Sequence, residues 1–446
     1  MENIDTSVLS TSLPAMARSL NQSPIELKLA MTSYLLALAV WLPASGWLAD
    51  RFGARHVFRL AIVIFAIGSI GCGFSQSIGE IVASRIIQGI GGSMMVPVGR
   101  LIVLRSVAKH EIVGAMAWMT IPALVGLVMG PLVGGFITTF FEWRWIFWIN
   151  IPIAILGLAM ATIFVPNIRG EERTGFDAVG FTLTGFGILA FVVGSTALGV
   201  GILPATEVLM IVGIGAALLV GYVFHSRRHP NPILDVTLFR IPSFRIALIG
   251  GSLVQLGVGG TPFLLPLFLQ YGFGMSPFES GAVTFIGAVG AIGMKIVSTP
   301  VIRRYGFRQV VLFNAGVTAF FVALPAIFRP DTPLLFVYAV LLVAGFVRAL
   351  QMTTASILAF VDVPAARMSQ ATTLSSVFQQ VSMSLGITAA AFTIQAQIGP
   401  GGTITGDVFF WPFVVLGCIS LLAAPFFRAL RRDAGHEVSG HALPLH

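Results

Sequence analysis

Asp5, Arg85, Lys295 and Arg348 lie inside long apolar runs. At bilayer depth an ionisable side chain costs about 2.5–3.5 kcal/mol by insertion scales, so it persists mainly when it is paired or used. A carboxyl such as Asp5 is neutral with its proton and charged without it, which is what proton transport across a barrier needs. Arg85 holds its proton permanently, so it can act by approaching a carboxylate, or it can reach out to anchor its helix at an interface. Lys295 and Arg348 sit among the amides Gln255, Gln351 and Gln379, a set suited to lining a substrate cavity. Three cations against one acid favour an anionic substrate there.

A second constellation is the run Gly46-Trp47-Leu48-Ala49-Asp50-Arg51-Phe52-Gly53-Ala54-Arg55, which closes an apolar segment. Its weaker copy, Arg304-Tyr305-Gly306-Phe307-Arg308, aligns with Arg51 to Arg55 and places Arg303 opposite Asp50. Topology alone explains the basic residues but not the glycine–acid spacing of Gly46, Asp50, Arg51, Gly53 and Arg55. Gly126, Gly130 and Gly134 recur every four residues, a helix face that lets a neighbour approach closely, with Pro131 as an expected kink and Gly135 beside it.

The elements that carry these residues must be membrane helices. The 446 residues are 56% hydrophobic and 10% charged, with mean hydropathy +0.92, too few charges to make a water-exposed surface. Apolar runs of roughly 20 residues recur, the length of a spanning helix, and they are continuous rather than alternating as in a β-barrel. The expected spans are 1–17, 29–49, 57–76, 80–104, 112–140, 145–165, 177–199, 204–224, 246–270, 279–301, 309–328, 333–360, 369–397 and 408–428. The first reads as truncated, because the apolar chain before Pro14 is too short to cross. The net charge of +8 comes from arginines in alternate short loops. It is read as topology rather than nucleic-acid binding, and puts both termini in the cytoplasm. Cys72 and Cys418 are expected as small buried packing residues, Trp143, Trp145 and Trp148 as an interfacial belt, and no residue set is expected to hold a metal.

The loop copy follows span ten as the original follows span two. A shift of eight implies two six-helix bundles with an inserted pair: 1–166, an insertion with its linkers at 167–228, a second bundle at 229–430, and a cytoplasmic tail at 431–446. The inserted spans contain almost no ionisable groups, as suits helices facing lipid.

Taken with Arg85-Ile86-Ile87-Gln88-Gly89-Ile90-Gly91-Gly92, the Gly126–Gly135 run, Trp143-Arg144-Trp145-Ile146-Phe147-Trp148-Ile149-Asn150-Ile151-Pro152, and Asp5-Thr6-Ser7-Val8-Leu9-Ser10-Thr11-Ser12-Leu13-Pro14, the chain resembles the fourteen-helix drug:proton antiporter family of the major facilitator superfamily. In the acidic motif of that family an Asn is common where this chain has Ser10. The resemblance implies an all-α major facilitator fold and a monomer in the bacterial inner membrane. It implies export of drug-like or small organic compounds by alternating access, driven by the proton motive force with no cofactor. Asp5 and Arg85 would couple protons, and the Gly46–Arg55 loop would gate the cytoplasmic side. Export of an organic anion or metal chelate, and a non-transporting sensor of the same fold, are the alternatives. No Gly-x-x-x-x-Gly-Lys-Ser/Thr loop is present for ATP, and no His/Asp/Glu cluster at a membrane face suggests an enzyme.

Overall fold

The computed structural model describes residues 2–107, 112–166, 175–197, 204–364, 367–398 and 404–431, and these are helical almost throughout, with no strand among them. In chain order the α-helices are α1 (Glu2–Ser19), α2 (Lys28–Trp41), α3 (Ala44–Phe52), α4 (Ala54–Phe74), α5 (Ile78–Ser106) and α6 (Ile112–Phe140). Then come α7 (Trp145–Trp148), α8 (Asn150–Phe164), α9 (Ala178–Ala197), α10 (Ala205–Arg228), α11 (Pro242–Gly259) and α12 (Thr261–Gly272). The series ends with α13 (Pro277–Ala323), α14 (Leu334–Phe360), α15 (Met368–Ile398), α16 (Phe410–Leu421) and α17 (Ala424–Arg428).

Every expected span coincides with helix over its described residues. Among the described residues 11 helical segments are long and apolar enough to cross a membrane, or 12 when α2 and α3 count as one bent span. Helix α1 is not among these segments, and α6 contributes only the shorter apolar stretch Val128–Phe140. Helix α1 does not stop at Pro14 but runs through it to Ser19, giving 18 residues, or about 27 Å against a hydrocarbon core of about 30 Å.

The second span, read as one rod, is bent by 56° between α2 and α3. Pro43 stands at that break, where a missing N–H and a fixed φ end one helix and start the next. Gly53 then separates α3 from α4 with φ 95°, and Gly306 interrupts α13 at the matching place of the copied loop with φ 71°. A side chain is disfavoured in that left-handed region, so both copies need glycine at this joint.

Two compact units result: Met1–Leu234 with Ser276–Gly281, and Asp235–Met275 with Ala282 onward. In the first, α5 packs against α2 and α4, α1 against α6, and α8 against α4. Helices α9 and α10 pack on each other, and α9 leans on α2. Helix α10 leaves Leu209, Met210, Ile214, Val220 and Phe224 exposed, as lipid contact requires. In the second unit α11 is central, touching α14, α15 and α16.

Candidate functional site

Five helices of the first unit bring polar side chains to one dry point. Asp5 of α1 and Arg85 of α5 form an ion pair in which both side chains are 1% exposed. The Arg85 Nε also donates to the Ala30 carbonyl at 2.9 Å, and its guanidinium lies 4.2 Å from the Tyr34 ring centroid. Asp5 Oδ1 accepts from Gln88 Nε2 at 2.8 Å and from Asn150 Nδ2 at 3.0 Å. Gln88 also donates to Ser69 Oγ at 2.7 Å. The interface-anchor reading of Arg85 is excluded by this burial.

Local sequence explains the convergence. Arg85 and Gln88 are three residues apart on α5 and share a face. Gly68 of α4 lets α5 come close: a Cβ at Gly68 would stand 2.5 Å from the Gln88 backbone nitrogen. On α6 the glycine face meets α1 directly. A Cβ at Gly126 would lie 2.8 Å from Ile4 Cγ1, one at Gly130 1.7 Å from Ser7 Oγ, and one at Gly134 2.3 Å from the Val8 carbonyl oxygen. Gly135 faces the Pro277 carbonyl instead, and the Pro131 carbonyl faces Gly281. The glycine run thus seats α1, the helix that carries Asp5. Helix α6 is continuous through Pro131.

The charged loop makes a second arrangement. Asp50 Oδ1 accepts from Arg105 Nη1 at 2.8 Å, with the two side chains about a third exposed. Arg51 is exposed, Arg55 half-buried, and Gly46 has open space where a Cβ would stand. In the copied loop Arg308 Nη2 donates to the Arg428 carbonyl at 3.0 Å, at the end of α17.

The expected cavity residues are not gathered in the same way. Gln351 is fully buried and accepts from Asn314 Nδ2 at 3.1 Å. Gln255 and Arg348 are half-buried and Gln379 is exposed. The side chain of Lys295 lies outside the described residues, as do Lys109 and the linker and tail segments 167–174 and 432–446. Trp143 is buried, with Arg144 over its ring at 4.4 Å. One further expectation is corrected. Cys418 is exposed, while Cys72 is buried as expected.

Sequence reading named no role for Gln88, Asn150, Ser69 or Tyr34, although Gln88 and Asn150 lie within the quoted motifs. It also passed over Asp177, His225 and His229, whose ligand-type atoms lie within 4.8 Å of one another. Asp177 is already occupied: it caps α9 through Gly180 N–H at 2.8 Å, takes Ile233 N–H at 3.2 Å, and meets His225 Nε2 at 2.7 Å. Burial pushes the Asp177 carboxyl up, but these donors outweigh it and hold the group below the usual carboxylate range.

The Major Facilitator Superfamily model matches residues 1–387 and again 247–443. The chain belongs to the major facilitator superfamily. It is 36% identical over 444 residues to the Salmonella newport protein named "Putative multidrug resistance protein MdtD", covering 97% of this chain and 93% of that one. A Pectobacterium carotovorum protein of the same name is 36% identical over 440 residues, covering 97% and 94%. Among solved structures, a D-xylose-proton symporter superposes with TM-score 0.67 at 17% identity, covering 97% of this chain and 95% of that one. The human organic anion transporter MFSD10 gives TM-score 0.62 at 14% identity, covering 96% of each chain. Superfamily membership and the run of apolar helices point to a multi-pass membrane transporter.

Proposed function

We propose that this transporter is a proton-coupled exporter of drug-like or small organic compounds, crossing the bacterial inner membrane fourteen times and working by alternating access as a monomer. The substrate class follows the name of its 36% identical relatives. The observation that carries the proton coupling is the buried Asp5–Arg85 pair.

Asp5 receives N–H donors from Arg85, Gln88 and Asn150. A carboxylate accepts only, so this arrangement fits its ionised form. Adding a proton turns one oxygen into a donor and removes the charge that Arg85 compensates. An unpaired buried arginine is costly, so the protonated state favours a rearrangement of α1 against α5. Asn150 Oδ1 is buried with no partner among the described residues. After protonation it can turn to accept the new Asp5 hydroxyl. Proton entry would thus be tied to a change of conformation, with the proton motive force as the only energy source. The exposed Asp50–Arg105 pair is weak enough to open and re-form as a cytoplasmic gate.

Proteoliposomes loaded with a pH-sensitive dye test this reading, with ethidium as the transported probe. Wild-type protein is expected to move protons when ethidium is added, and Asp5→Asn to abolish that movement while still folding. Undiminished ethidium-linked proton flux in Asp5→Asn would sink the proposal.

Export of an organic anion is a second reading, favoured by Arg348. It lies within α14, half-buried, with no ion pair among the described residues. Anion transport that stayed normal in both Lys295→Ala and Arg348→Ala would remove its basis.

A further inference from the structure

Beside the proton cluster, and independent of it, a cavity of about 810 Å³ opens between α2, α5 and α9. Its walls are apolar, with Leu29, Leu36, Val40, Ile86, Leu189 and Val193 among the lining residues. The lining follows α2 from Lys28 to Trp41, about 20 Å at helical rise. That is comparable to one leaflet of the hydrocarbon core, about 15 Å. At the far end Trp41 meets Phe181, ring centroids 5.4 Å apart.

The near end carries a buried ammonium. Lys28 is 1% exposed and donates to the Thr196 carbonyl at 3.3 Å. An ammonium has three N–H donors, so this one long bond leaves Lys28 underused in an apolar setting. Ser33, one turn and a half further along α2, is 8% exposed, and its Oγ has no partner among the described residues although it lines the cavity. Glu26 and Gln22 stand at the same end. Glu26 Oε2 accepts from the Ser23 N–H at 3.2 Å, a local bond that takes up part of its acceptor capacity.

We infer that this groove holds an anionic phospholipid, its phosphate at Lys28, an ester carbonyl within reach of Ser33 Oγ, and one acyl chain along α2 toward Trp41. A cation, an unpartnered hydroxyl about 7.5 Å deeper and an apolar groove form the order in which a phospholipid presents phosphate, ester and hydrocarbon. The lipid bridges α2 and α9, and so fastens the inserted pair to the first bundle.

Native mass spectrometry of the full chain, released from nanodiscs of equimolar phosphatidylglycerol and phosphatidylcholine, tests the assignment. Wild type is expected to retain one phosphatidylglycerol over phosphatidylcholine by about tenfold, because the choline ammonium beside the phosphate offsets its attraction to Lys28 whereas phosphatidylglycerol stays a net anion. Lys28→Met should bring that ratio near one, Lys28→Arg should keep it, and Val193→Trp should remove the retained lipid of either class. Equal retention by wild type, an unchanged ratio in Lys28→Met, retention by Val193→Trp, or displacement of the lipid by ethidium would each overturn the inference. A lower melting temperature of Lys28→Met with its lipid ratio unchanged would also overturn it, since Lys28 would then only cap α9. If Lys28→Met fails to fold, Lys28→Arg and Val193→Trp decide alone.

Discussion

Asp5 and Arg85 illustrate why breaking a buried pair differs from lacking one. Arg85→Ala leaves a buried carboxylate, and is expected to cost about 3–5 kcal/mol in thermal or denaturant unfolding. The double variant Asp5→Asn/Arg85→Gln should be less destabilised than Arg85→Ala, because no uncompensated charge remains. A double variant as unstable as the sum of its singles would show that the two residues do not act as a pair. The two residues were legible in the sequence because lone ionisable residues in apolar runs are conspicuous, but their pairing was not. Gln88, Ser69 and Asn150 were not, since amides and hydroxyls are frequent in helices and only packing brings these three, from α4, α5 and α8, to one carboxyl. Gln379 shows the converse. Its type suggested a cavity lining, yet its position on α15 leaves it exposed.

Helices set these side chains in place through close backbone contact and through their caps. Gly130→Ala puts a methyl group where Ser7 Oγ now stands, so α1 must move away from α6. Transport should fall at least tenfold in the ethidium assay, and adding Ser7→Gly, which vacates the space, should restore most of it. At the start of α9 the Asp177 carboxyl is held below its usual range. Its folded-state value lies below the unfolded one, near 3.9. Its stabilisation is therefore complete above that value and is lost as pH falls through the folded-state value. Asp177→Ala should cost about 0.5–2 kcal/mol at neutral pH and speed hydrogen exchange in the first turn of α9. The gap from wild type should narrow in acid; a gap constant down to the lowest usable pH would refute a charged cap. At this scale apolar length located the helices, because bilayer thickness dictates it. The bend at Pro43 and the continuity of α1 through Pro14 could not be read in the same way. Proline marks a place where the backbone ladder is interrupted, and neighbouring helices decide whether it breaks.

For the whole molecule, the two copied loops share their glycine joint and differ in their charge contacts. Asp50 and Arg105 are partly exposed, so their bridge should contribute at most about 1 kcal/mol to stability. An energy of that size still shifts a two-state equilibrium several-fold. Asp50→Asn should therefore leave the melting temperature nearly unchanged while slowing ethidium export, and Asp50→Arg with Arg105→Asp should recover much of the rate. A large drop in melting temperature with normal export would contradict this. The sequence shows that the second loop has Arg303 where the first has Asp50, but not what takes the place of the acid. In the structure Arg308 bonds to the main-chain oxygen of Arg428. The acceptor in the first loop is written in a single codon and can be lost by one base change. The acceptor in the second belongs to the peptide backbone, so no substitution at position 428 deletes that oxygen, and variation can silence that contact only through the arginine or by displacing α17.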